Sequence, residues 1–343
     1  MTTRLDWDAD TDSAQRAARV VALRALARVV AAMEQVRKKD ADSIHDLRIA
    51  MRSLRSWLHV YRPALSDTLR RRTRRRLRRI ARATTDLRDL DVQITWLKHE
   101  RDALGDTRLD AARWIVRSLE RDRRKAWRAF RRATERDFLR TSKDLEEQLT
   151  HYTATVDVRQ PLEAVSMQRT TRRALQAQAE SLKAALRRVR SPDDTRRLHR
   201  ARIVAKRTRY TLSALSTPDH GLRAAVDSLH RFQDAVGELR DAQLLAHRVT
   251  REVTAVAAER AALVASELVY EPRGPMDFAR VVGGSPFDAS LSLLFARLRD
   301  RISAGSRDVA AAIAPTAIRE LVTHVESASR TFARGTREAR QAR

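Results

Sequence analysis

The chain repeats itself, and that limits what it can fold into. The run His45-Asp46-Leu47-Arg48-Ile49-Ala50-Met51-Arg52-Ser53-Leu54-Arg55 returns as His199-Arg200-Ala201-Arg202-Ile203-Val204-Ala205-Lys206-Arg207-Thr208-Arg209. His, Arg, Ile, a basic residue and Arg occupy matching places in both. A second match follows each copy. Leu87-Arg88-Asp89 places Arg88 43 residues after His45, and Leu239-Arg240-Asp241 places Arg240 41 residues after His199. Two unrelated motifs at near-equal separation mark a duplicated unit of roughly 150 residues. The expected halves are 12–155 and 163–338.

Each half reads as helix. Only eight Gly and eight Pro interrupt 343 residues, so turns are few and helices long. Apolar residues recur at three- and four-residue steps through Ala14–Glu34 and Ser290–Ile302, the mark of amphipathic helices. Asp42-Ser43 ahead of Ile44, and Ser191-Pro192-Asp193 ahead of Leu198, read as helix starts. Pro63 ends the Trp57 helix, and Pro218 with Gly221 punctuates the corresponding place in the second half. The long stretch from Glu271 to Pro286, with three prolines and three glycines, reads as a loop. No alternation of strand type occurs. The expected fold class is all-α.

Charge narrows the partner. With 43% hydrophobic residues the chain is globular rather than disordered. Lys plus Arg number 70 against 44 Asp plus Glu, a net charge of +26, and a field of that sign draws polyanions. Only seven of the 70 basic residues are lysine. Arg presents a planar fork that can grip two phosphate oxygens, although GC-rich coding also favours it. Without cysteine there is neither a disulfide framework nor a thiolate metal site. No apolar run nears the ~18 residues of a membrane span. The segment Met1–Asp12 carries four aspartates and no apolar stretch, unlike a secretory signal. A cytoplasmic location without membrane insertion is expected.

On a helix, His45, Arg48, Arg52 and Arg55 fall within an arc of about 80°. Ile44, Leu47, Met51, Leu54 and Leu58 form an apolar stripe beside them. His199, Arg202, Lys206 and Arg209 make the same polar stripe in the second copy, beside a thinner seam of Leu198, Ala201, Ala205, Thr208 and Leu212. Solvated helix faces normally mix acids with bases one turn apart. These stripes do not, which points to an anion site.

Further candidates are Arg75, Arg78, Arg79 and Arg82, which share one face of an Arg-dense helix, together with the repeated Arg88 and Arg240. Arg113, Arg117, Arg121 and Arg128 form a weaker ladder, with Glu120 and Asp122 among them. Metal binding by His45 or His199 is not expected, because arginines are poor neighbours for a cation. Each imidazole is expected to bond phosphate or fix a neighbouring side chain. Asp89 and Asp241 most simply orient the Arg before them or cap a helix.

These motifs resemble the CHAD family, the conserved-histidine α-helical domain. The matching runs are His45–Arg55, Leu87-Arg88-Asp89-Leu90-Asp91, His199–Tyr210 and Leu239–Asp241, and the likeness covers about Asp12 to Arg337. Arg200 stands where the first half has Asp46, and Gln243 where it has Asp91, so the two sites are expected to be unequal. The resemblance implies two tandem four-helix bundles related by a pseudo-two-fold axis, around a basic cavity that binds inorganic polyphosphate on granules. Some members are fused to a triphosphate tunnel metalloenzyme domain. Here there is no Glu-x-Glu-x-Lys run, so the stand-alone form is expected, without catalysis or cofactor. Nucleic-acid binding through charge is the competing reading, weakened by the lack of aromatics among the stripes for base stacking. A metal-dependent phosphohydrolase would need a carboxylate cluster that the sequence does not display.

Overall fold

The computed structural model describes residues 13–36, 41–65, 69–104, 110–151, 167–214, 220–270 and 286–341. Among these residues there are nine α-helices and no strand. They are α1 (Ala14–Gln35), α2 (Ala41–Val60), α3 (Arg71–Leu104), α4 (Asp110–Thr150), α5 (Met167–Arg187), α6 (Thr195–Ala214), α7 (His220–Tyr270), α8 (Pro286–Ala312) and α9 (Pro315–Gln341). The fold is all-α. Most of the Glu271–Pro286 stretch lies outside the described residues, as does Pro218, while Pro286 opens α8.

Helix boundaries follow local chemistry. Ser13 caps α1, its hydroxyl accepting from the Arg16 amide at 3.3 Å. α2 begins at Ala41, earlier than the Asp42-Ser43 signal suggests. Asp42 therefore sits in the first turn, where its charge favours the exposed amides. Pro63 cannot continue α2, and the chain closes it with a 3-10 turn, Pro63–Leu65. α6 opens at Thr195, with the Asp194 carbonyl accepting from the Leu198 amide at 2.9 Å.

The chain forms two compact units, each drawn from both sequence halves. The first comprises 1–88, 126–236 and 308–343; the second comprises 89–125 and 237–307. In the first unit α1 packs on α2 and α5, α5 on α6 and α9, and α2 on α6. The apolar stripe of α2 is its core: Ile44, Leu47, Met51 and Leu54 are fully buried. The thinner α6 seam is buried too, from Leu198 through Ala201, Ala205 and Thr208 to Leu212. Alanines there, and Ala17, Ala18, Ala22 and Ala25 on α1, let helix backbones approach closely. Trp57 donates its Nε1–H to the Ala18 carbonyl at 3.1 Å. Its ring lies 4.1 Å from that of Tyr61, whose hydroxyl is bonded to Thr171 Oγ1 at 2.8 Å. Burial pushes the Tyr61 phenol above its ordinary range, despite that bond.

In the second unit Ile94, Leu97, Ile115, Val116 and Leu119 pack with Leu245, Val249, Leu294 and Leu298. Gly305 of α8 lies against Leu239 of α7, where an added Cβ would come within 3.1 Å of the Leu239 Cα. Buried Asp91 pairs with Arg123, and Asp122 with Arg248. Asp122 is held below the usual carboxylate range, chiefly by the Arg248 hydrogen bond. No helix among the described residues is long and apolar enough to cross a membrane.

The α2 seam gives the first prediction. Leu47→Ala should cost about 2–5 kcal/mol in urea unfolding. Leu139→Ala, at a position 74% exposed, should change stability by less than about 0.5 kcal/mol.

Candidate polyanion site

Because the apolar stripe of α2 faces the core, the stripe next to it lies at the core's margin. His45, Arg48 and Arg52 are half-buried there, and Arg55 is exposed. His45 is held below its ordinary pKa, first by burial, then by the charge of Arg88, with Arg48 and Arg52 adding to it and Asp46 opposing. Arg88 of α3 therefore faces the start of the α2 stripe.

Arg55 marks the centre of the arrangement. Protein crowding lowers its pKa first, and the positive charges of Arg78, Arg207, Arg52 and Arg82 lower it further. It is nevertheless open to water. His59, one turn further along α2, is lowered by burial and then by Arg207, Arg62, Arg55 and Arg78. Residues of α2, α3 and α6 thus converge, all within the first unit. The charges acting most strongly on both groups are all guanidiniums.

The other candidates are differently placed. Arg79 forms an ion pair with Asp137 at 2.8 Å, so its charge is partly met. Arg75 is exposed on α3. Arg76 of the same helix is buried and paired with Asp144 at 2.7 Å. On α6, Arg202 donates its Nε–H to the Gln233 carbonyl at 3.3 Å. Arg209 donates its own to the Gln233 side-chain oxygen at 3.1 Å. The Arg209 guanidinium also lies 4.8 Å from the Tyr210 ring centre. His199 is exposed and Lys206 half-buried. Arg240 belongs to the second unit. Of the weaker ladder, Arg113, Arg117 and Arg121 are in the second unit and Arg128 in the first.

Three participants escaped the sequence reading: His59, Arg207 and Gln233. His59 continues the angular arc of His45, Arg48, Arg52 and Arg55, so the helical wheel alone points to it. It lies beyond the repeated run, which ends at Arg55, and its counterpart is Ser213. Arg207 lies within its run, with Ser53 as its counterpart. Nothing in the sequence marks Gln233, whose role depends on α6 and α7 meeting. Among the described residues no three His, Asp or Glu side chains gather as a metal site would require.

The two lowered histidines predict how stability depends on pH. Their folded pKa values lie below the unfolded value of 6.5. The neutral forms thus favour the fold above that value, and this contribution is lost as pH falls through the folded pKa values. Between pH 7 and 5 the melting temperature of the ligand-free protein should fall. The double variant His45→Gln/His59→Gln should flatten that fall, read by circular dichroism melts across the range.

Comparison with known proteins places this geometry in context. The family model for the CHAD domain matches residues 20–250. Two solved structures share the fold. The CHAD domain from the plant Ricinus communis superposes with a TM-score of 0.57 at 18% identity, covering 88% of this chain and 93% of that one. PptA from Streptomyces chartreusis gives 0.55 at 16% identity, covering 88% and 99%. No curated protein matches the sequence.

Proposed function

We propose, starting from the fact that the chain belongs to the CHAD domain family, that it holds inorganic polyphosphate without reacting it. The observation that carries this reading is the convergence on Arg55 of Arg52, Arg78, Arg82 and Arg207. Such a group repels itself, and a dense, flexible polyanion relieves the repulsion along its whole length. Guanidinium forks suit phosphate because two N–H groups meet two oxygens at once. Polyphosphate repeats that geometry at every unit and carries no bases that need stacking partners. Aromatic residues make up only 5% of the chain, which suits a polymer of this kind better than single-stranded nucleic acid. The role is retention on a granule surface, with duplex DNA bound weakly through charge alone.

Competition tests the reading. Labelled long-chain polyphosphate, bound at physiological salt, should be displaced by unlabelled polyphosphate at far lower phosphate concentration than by duplex DNA. Equal displacement by both polymers would reduce the function to generic polyanion binding. Affinity should also fall steeply with salt as counterions are released. Arg55→Glu/Arg78→Glu should abolish binding with the helical circular dichroism intact. Incubation with polyphosphate and magnesium or manganese should release no phosphate; steady release would identify an enzyme instead.

A further inference from the structure

The repeat allows the two stripes to be compared position by position. Aligning Leu87-Arg88-Asp89 on Leu239-Arg240-Asp241 places Leu77 on Leu229 and Ile80 on Phe232. All four of these core residues are buried, so the register is sound. In that register the first copy's Arg78 and Arg82 correspond to His230 and Asp234, and Ala81 corresponds to Gln233. From the His motif, Arg55 corresponds to Arg209, and His59 to Ser213. Arg207, which acts on Arg55, has Ser53 as its counterpart.

The two copies therefore give their equivalent arginines opposite surroundings. Arg55 sits among guanidiniums. Arg209 is bonded to Gln233 and lies over Tyr210, and neither residue has a like partner in the first copy, where Ala81 and Ser56 stand. At the places of Arg78 and Arg82 the second copy carries a His and an Asp that bond each other. Gln233 is buried and takes both Arg202 and Arg209, one through its backbone and one through its side chain.

We propose that the two copies have parted roles. The first copy's Arg55, Arg78 and Arg82, completed by Arg207, form the anion grip, while the Gln233 side chain has turned the second copy's Arg209 into a joint between α6 and α7. Gln233 is a positioning residue, and a bound polyphosphate strand is held at one pole of the repeat. This rests on the polyanion reading above and makes it directional.

The test uses the full-length protein and long-chain polyphosphate, with affinity and ligand-free melting temperature measured for each variant. Arg55→Gln should weaken binding about 10-fold or more, as loss of a charge-assisted hydrogen bond does, and should raise the ligand-free melting temperature by relieving repulsion. Arg209→Gln should lower that temperature, and its loss of affinity should be smaller than that of Arg55→Gln by at least about 5-fold. A charge-neutral exchange, Arg78→His/Arg82→Asp with His230→Arg/Asp234→Arg, alters only exposed positions. It should reduce affinity at least about 10-fold at unchanged net charge. If wild type fails to bind polyphosphate, the underlying reading falls. If wild type binds and Arg55→Gln and Arg209→Gln lose affinity equally, or the exchange leaves affinity unchanged, the division of roles alone is overturned.

Discussion

Like-charge repulsion is the constraint on which the first unit turns. Two unit charges about 4 Å apart repel by about 4 kcal/mol at an effective dielectric near 20, and solvent screening reduces this at exposed side chains. Left to themselves, guanidiniums from three helices would move apart. They are held by the seam beneath them. Ile44, Leu47, Met51 and Leu54 are fully buried, and burial of four such side chains contributes on the order of 6–12 kcal/mol. The apolar stripe thus supplies the free energy that keeps its basic neighbour assembled.

The same helices answer the charge problem in more than one way. Several arginines are met by an acid or an amide. Arg76 has Asp144, Arg123 has Asp91 and Arg209 has the Gln233 carbonamide. These contacts join α3 to α4 and α6 to α7 by directed bonds. Around Arg55 the strongest neighbours are cations. Local chemistry, rather than total charge, separates the structural arginines from those suited to a ligand.

Much of this was legible from the chain alone. The helical period of α2 identified its buried face residue by residue, because a 3.6-residue repeat leaves one choice of inward stripe. The all-α class followed from the scarcity of turn residues, whereas the meeting of His45 with Arg88 is visible only in the folded chain. Other parts were hidden for physical reasons. Periodicity does not say which helices touch, so Gln233 as the partner of Arg202 and Arg209 was out of reach. Nor did it show that the compact units draw on both halves of the chain. His59 and Arg207 fall outside the stripes that the repeat defines, because their counterparts are Ser213 and Ser53.

Burial first, and then the surrounding guanidiniums, disfavour the charged forms of His45 and His59. Both lie below the ordinary value of 6.5 in the ligand-free protein, and under the proposed function a bound strand of phosphates would raise both. The most direct measurement is calorimetric titration with long-chain polyphosphate at pH 6.5, in buffers of different ionisation enthalpy. Net proton uptake on binding, lost in the His45→Gln/His59→Gln variant, is expected of this arrangement. Binding with no proton uptake, or with proton release, would contradict it.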